Sequence, residues 1–118
     1  MGTFNITIQI ANLEGEHFED IEVMVDTGAT TTVVPRSTLE GLGIRPSVTR
    51  TFEYAGGQQV QLDMGEARSR VDGRETTTWV IFGEEGASPL LGAYTLEGVL
   101  LGVDPYNERL IPVIGSLK

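Results

Sequence analysis

Val23-Met24-Val25-Asp26-Thr27-Gly28-Ala29-Thr30 is the stretch on which the fold turns. An apolar run brings a carboxylate to the end of a strand, and a glycine lets the chain turn immediately after it. Upstream, Phe18 to Val25 alternates through Ile21, Val23 and Val25, the pattern of a half-buried strand. Before it, Asn12 to Glu16 reads as a turn, and Phe4, Ile6, Ile8 and Ile10 form a second alternating strand. Downstream, the β-branched run Thr30 to Val34 is stopped by Pro35. Arg36 to Leu42 then reads as a helix, with Gly43 as its stop. Taken alone, Asp26 is better explained as an Asx-turn whose carboxylate bonds the amides that follow.

The middle of the chain predicts two hairpins. Val48 to Tyr54 and Gln58 to Met64 flank Ala55-Gly56-Gly57, and Ala67 to Val71 and Glu75 to Phe82 flank Asp72-Gly73. Both tips suit the positive φ that tight turns need, Asp-Gly most strongly. Trp79 lies among apolar strand residues and is expected in the core. A loop from Gly83 to Ser88 follows, then Pro89-Leu90-Leu91-Gly92, a helical spacing over Tyr94 to Leu101, a turn at Asp104 to Asn107, and a last strand over Leu110 to Ile114. Many short strands with few helices predict an all-β barrel or sandwich in one domain over residues 1–118.

Charge and composition narrow the function. Seventeen acidic against eight basic residues leave a net charge of −9, which argues against nucleic acid or an anionic membrane as partner. The most apolar stretch, Pro89 to Val103, is too short and too polar to span a bilayer. Met1-Gly2-Thr3-Phe4-Asn5 has neither the basic nor the apolar region of a secretory signal, and there is no cysteine, so a cytoplasmic protein is expected. A single histidine, His17, set among acidic residues and expected at the surface, disfavours histidine triads and zinc sites. The glycines form no phosphate-binding pattern, and neither metal nor cofactor is expected.

The order of two motifs gives Asp26 its meaning. The hydrophobic–Asp–Thr–Gly–Ala turn is followed, later in the chain, by Leu90-Leu91-Gly92 opening a helix. With the N-terminal hairpin, the short helix, the glycine-tipped hairpin and the ending Leu101-Gly102-Val103-Asp104-Pro105 to Leu110-Ile111-Pro112, the chain resembles the retropepsin-like aspartic proteases, in particular the small single-domain prokaryotic kind. The resemblance implies a closed β-barrel with one or two short helices. It also implies an aspartic endopeptidase in which two carboxylates share one proton and activate a water between them.

Only Asp26 is followed by Thr-Gly here; Asp20, Asp63, Asp72 and Asp104 lie in other contexts. The second carboxylate is therefore expected from Asp26 of a second copy, making the enzyme a homodimer acting on a peptide or protein. By the same resemblance, Thr27 would bond across the twofold axis, Gly28 would let the backbone approach substrate, and Leu91 and Gly92 would form the structural loop behind the carboxylate. Ala29 stands where pepsin-like enzymes more often have a serine that bonds the ionised aspartate, which predicts an optimum nearer weakly acidic to neutral pH than pepsin's.

Tyr54, Ala55, Gly56 and Gly57 fall at the flap, where an ordinary surface hairpin is the plainer alternative and Tyr54 is expected to face the core. Ser88 and Leu90 fall where the family lines its substrate pockets, with a core role as the other reading of Leu90. Glu84 and Glu85, if they border the cleft, would favour basic side chains in an outer subsite. Thr30 and Ala93 depart from the retroviral pattern, which has an Asp–Arg pair at these two positions; both charges are lost together, so no unpaired charge is left behind. Two competing readings remain open: a module of the same fold that binds peptides or assembles a complex without cleaving, and an unrelated carboxylate enzyme such as a glycosidase, for which no second motif-marked acid is present.

Overall fold

A computed structural model describes residues 3–117; Met1, Gly2 and Lys118 of the expected domain lie outside the described residues. Eleven elements follow in order: β1 (Phe4–Ala11), β2 (Glu19–Val25), β3 (Thr32–Pro35), α1 (Arg36–Gly41), β4 (Val48–Glu53), β5 (Gln59–Val71), β6 (Arg74–Gly83), β7 (Leu90–Leu91), α2 (Ala93–Gly98), β8 (Leu101–Asp104) and β9 (Arg109–Pro112). The class is all-β, with two short helices. No helix among the described residues is long and apolar enough to cross a membrane.

The main sheet runs β1-β2-β7-β3-β6-β5-β4, and β5 pairs back onto β1 through Gln9–Arg70, Ile10–Ser69 and Ala11–Arg68. The pairings therefore close into a ring, from which only β4 hangs. Alternation along each strand points Ile8, Ile10, Val23, Val25, Val34, Val80 and Phe82 inward. Leu39 of α1 and Leu96 of α2 bury against them. Helices this short have little stability of their own, so these apolar anchors hold them in place.

Turn chemistry agrees with the local sequence. The Asp72-Gly73 tip has φ of 52° and 80°, positive at both central positions as a two-residue hairpin of this kind requires. Gly43, at φ 79°, ends α1: its amide donates to Glu40 O at 3.0 Å, and the Ile44 amide donates to Leu39 O at 3.0 Å. That double return, with Leu39 and Ile44 both buried, is a Schellman cap.

Four expectations need correction. The segments read as ending at Met64 and restarting at Ala67 are one 13-residue strand, β5. Gly65 is there not to break the strand but to admit a neighbour, since a Cβ would sit 2.6 Å from the Arg45 carbonyl oxygen. Trp79 is only half-buried, because the inward parity of β6 belongs to its neighbours Thr78 and Val80. Tyr54 is 53% exposed and does not face the core, since the β4–β5 tip stands clear of the ring. The helical spacing over Tyr94 to Leu101 yields a helix only to Gly98: Leu100 turns to φ 56° and Leu101 enters β8.

Candidate active site

Asp26 follows directly on β2, whose last residues pair in parallel with β7: Met24 with Leu90 and Val25 with Leu91. β7 is held on its other side by β3, through Val33 and Leu90. The segment between β2 and β3 thus loops over β7, and backbone hydrogen bonds bind it there. The Asp26 amide donates to Leu91 O at 3.1 Å, the Ala93 amide to Ala29 O at 2.8 Å and the Tyr94 amide to Thr30 O at 2.9 Å. Gly92 is buried at the crossing, where a Cβ would lie 2.7 Å from Thr31 C and 2.9 Å from Thr30 O. The two motifs read separately in the sequence are one structural unit.

Within this unit the Asp26 carboxylate is half-buried. Its Oδ1 accepts from the Gly28 amide at 2.9 Å, and the Ala29 amide donates to Asp26 O at 3.1 Å. The Asx-turn reading of the motif is therefore present in the molecule, but it uses only one carboxylate oxygen. Oδ2 has no hydrogen-bond partner among the described residues. Asp26 and Thr27 open on a cleft of about 330 Å³ whose other walls are Thr3, Phe4, Val25, Val103 and Pro105. Thr27 is exposed and its hydroxyl likewise finds no partner among the described residues. Gly28 is exposed and Ala29 half-buried.

The remaining expected site residues lie elsewhere. Tyr54 to Gly57 form the tip of the β4–β5 hairpin, closed by Tyr54 N to Gln58 O and Gly57 N to Tyr54 O, both 2.8 Å. Gly57 takes φ 91°, and added Cβ atoms at Gly56 and Gly57 would meet nothing within 4 Å. The tip projects into open space and does not line the Asp26 cleft. Ser88 is exposed and lines a separate cleft of about 350 Å³ with Asn5, Glu22, Val23, Met24 and Pro89. Leu90 is half-buried between Met24 and Val33, whereas Leu91 is fully buried. His17 is exposed.

Three pairings not foreseen from the sequence tie the surroundings together. Arg36, at the start of α1, donates to Asp63 Oδ2 at 2.6 Å, and Thr49 Oγ1 donates to Asp63 Oδ1 at 2.8 Å. Since Thr49 and Asp63 are paired across β4 and β5, this fastens the base of the glycine-tipped hairpin to α1. The Arg36 guanidinium, then the Thr49 hydroxyl, hold the Asp63 carboxyl below its ordinary value. Glu85 reaches the next residue of the helix, accepting from Ser37 N at 3.1 Å and Ser37 Oγ at 3.0 Å. Glu84 and Glu85 line a cleft with Arg36 and Asp63, separate from the one at Asp26. The sequence held no signal for these pairings, because their partners are far apart along the chain.

A family profile described as aspartyl protease matches residues 10–104. Among solved structures, the chain is similar to the EIAV protease in complex with the inhibitor HBY-793, at 18% identity and a TM-score of 0.61, covering 81% of this chain and 86% of that one. It is also similar to the simian foamy virus (mac) protease, at 23% identity and a TM-score of 0.51, covering 80% and 91% respectively. At these identities the two structures speak for the fold. No curated protein matches the sequence significantly.

Proposed function

The chain belongs to the aspartyl protease family, and on that premise we propose that it is a homodimeric aspartic endopeptidase whose catalytic pair is Asp26 from each of two copies. The observation that carries this reading is the state of the Asp26 turn. Its backbone is locked by Leu91 and its Oδ1 by the Gly28 amide, while Oδ2 has no partner among the described residues and Asp26 lines an open cleft. One such carboxylate cannot both take a proton from water and give one to the scissile carbonyl oxygen in the same step. Two at close range can, because like charges that near do not both ionise and one proton is shared. The chain has a single Asp-Thr-Gly, so the second must arrive with a second copy.

In this mechanism the ionised carboxylate accepts a proton from the attacking water as oxygen adds to the peptide carbonyl carbon. The protonated one donates to the carbonyl oxygen, giving a neutral gem-diol. On collapse the C–N bond breaks, the amine nitrogen takes the proton of the protonated carboxyl, and a gem-diol hydroxyl returns its proton to the ionised carboxylate as the carbonyl re-forms, so the pair again holds one proton. Thr27, exposed and without a partner within its own subunit among the described residues, suits a hydrogen bond across the twofold axis. Gly28 offers backbone to an extended peptide. The hairpin tip at Tyr54 to Gly57, fastened only at its base, suits a lid that excludes water. Ser88 and Leu90 are the proposed pocket residues for substrate side chains.

The test combines sedimentation with cleavage of a mixed peptide pool by wild type and Asp26→Asn. Cleavage by a wild-type dimer, abolished in an Asp26→Asn dimer, is expected. Equal cleavage by Asp26→Asn would refute the mechanism, and a wild-type dimer that cleaves nothing between about pH 3 and pH 8 would favour a peptide-binding module of the same fold.

A further inference from the structure

Three threonines are buried in this small domain with their side chains touching: Thr32 in β3 and Thr95 in α2 are 0% exposed, and Thr78 in β6 is 2% exposed. Their Oγ1 atoms form a line, 2.6 Å from Thr32 to Thr95 and 2.8 Å from Thr95 to Thr78. The Gly92 amide donates to Thr32 Oγ1 at 3.1 Å, and Thr78 Oγ1 lies 3.4 Å from Trp79 O.

The donors can be assigned. Gly92 N–H can only donate, so Thr32 accepts there, and the one acceptor within reach of its own proton is Thr95. Thr95 in turn donates to Thr78, whose proton is left for the Trp79 carbonyl. Each hydroxyl then accepts once and donates once, which is what burial of three polar groups demands. We propose that this hydroxyl chain is a positioning device for the reaction: it anchors Gly92 to β6 and α2, and through Gly92 it fixes the backbone that holds Asp26. The inference rests on the reading of Asp26 as catalytic.

The route from brace to carboxylate is short and made of backbone. Leu91, next to Gly92, accepts from the Asp26 amide, and Ala93, on the other side, donates to Ala29 O. A shift at Gly92 therefore moves both ends of the Asp26 turn. The segments leaving the Asp26 turn and the Gly92 crossing carry Thr30 and Ala93 rather than charged residues, so the cross-tie between them is neutral. A neutral brace does not titrate across the range in which a carboxylate pair works, so the geometry of the turn stays constant while its charge changes. Threonine fits this role where valine would fill the same space, because valine would leave the buried Gly92 amide without a partner.

The test uses the full chain as Thr32→Val, Thr32→Ser and Thr95→Val. Peptide cleavage is measured alongside site-resolved amide exchange. Thr32→Val is expected to lower kcat about 10- to 100-fold with KM changed less than about 3-fold, since misplacing a reacting group by a fraction of an ångström acts on the chemical step. Thr32→Ser, which keeps the hydroxyl, is expected to restore most of it. Exchange at the Gly92 and Asp26 amides is expected to quicken at least about 10-fold in Thr32→Val and Thr95→Val, but not in Thr32→Ser, with the Ile10 amide in β1 unchanged. Wild-type exchange at Gly92 and Asp26 in Thr32→Val would overturn the proposal, as would quickening equally large at Ile10, the mark of general destabilisation. If wild type cleaves no peptide, the catalytic reading of Asp26 fails by itself, and the exchange pattern still decides whether the hydroxyl chain holds the Asp26 turn. Should Thr32→Val not fold, Thr95→Val against Thr95→Ser gives the same comparison one link further along.

Discussion

Replacing Gly92 by alanine tests whether the Asp26 turn and the Leu91–Gly92 crossing are one unit. The new methyl would sit 2.7 Å from Thr31 C and 2.9 Å from both Thr30 O and Thr31 N, all backbone atoms that cannot rotate away. Ordinary contact needs about 3.4 Å or more, so the two segments must part by roughly 0.5–0.7 Å. Parting strains the bonds from Ala93 N to Ala29 O and from Tyr94 N to Thr30 O, now 2.8 and 2.9 Å. Overpacking of this kind costs about 1–3 kcal/mol and a weakened hydrogen bond about 1 kcal/mol. Together these give about 2–4 kcal/mol, which for a domain of this size lowers Tm by roughly 8–15 °C. The assay is thermal unfolding followed by circular dichroism at one fixed protein concentration, because a dimer's Tm depends on it. Gly41→Ala is the control: it lies in α1, an added Cβ meets nothing within 4 Å, and its Tm should hold or rise slightly. A Gly92→Ala protein melting within about 2 °C of wild type would refute the reasoning that these two segments are held in direct contact.

Asp63→Asn tests the tie between α1 and the hairpin base. Because Arg36 and Thr49 hold the folded-state carboxyl below its ordinary value of 3.8, the stabilisation is present above that pH and is lost as pH falls through the lower folded value. Urea midpoints should therefore favour wild type near about pH 6, and the gap should narrow as pH falls below the ordinary value of 3.8; a gap that widens in acid would contradict the assignment. Ala29 cannot supply the hydroxyl that helps ionise the pepsin pair, so the pH–rate profile should peak at weakly acidic to neutral pH, and a maximum near about pH 2 would count against it.

How much of this could be read from the chain depends on the range of the interaction. Local patterns were legible: the alternation of β1 and β2, the Asp72-Gly73 turn, the Gly43 cap and the strand-end position of Asp26 all depend on neighbours a few residues apart. The two motifs, Asp26-Thr27-Gly28 and Leu90-Leu91-Gly92, were legible as a pair, though not the backbone bonds that join them. What stayed hidden depends on which strands meet. Gly65 looks like a breaker until Arg45 is seen to pass over it, and Trp79 looks like core until β6 shows which parity faces inward. Thr32, Thr78 and Thr95 carry no sign of burial, because a threonine, in a strand like the first two or in a helix like Thr95, reads the same wherever its hydroxyl points.

The uninterrupted length of β5 bears on how the glycine-tipped hairpin can move. A pair of strands with a break at Gly65 would swing about a joint. A single 13-residue strand instead behaves as a loaded beam, clamped in the ring by β1 and β6 and pinned again at Asp63 by Arg36. Its compliant part is then the overhang beyond that pin, residues 50–62 with the tip they carry. If the tip is the lid proposed above, substrate entry would be governed by the bending stiffness of this overhang, and moving the pin along the strand would retune it without touching the carboxylate.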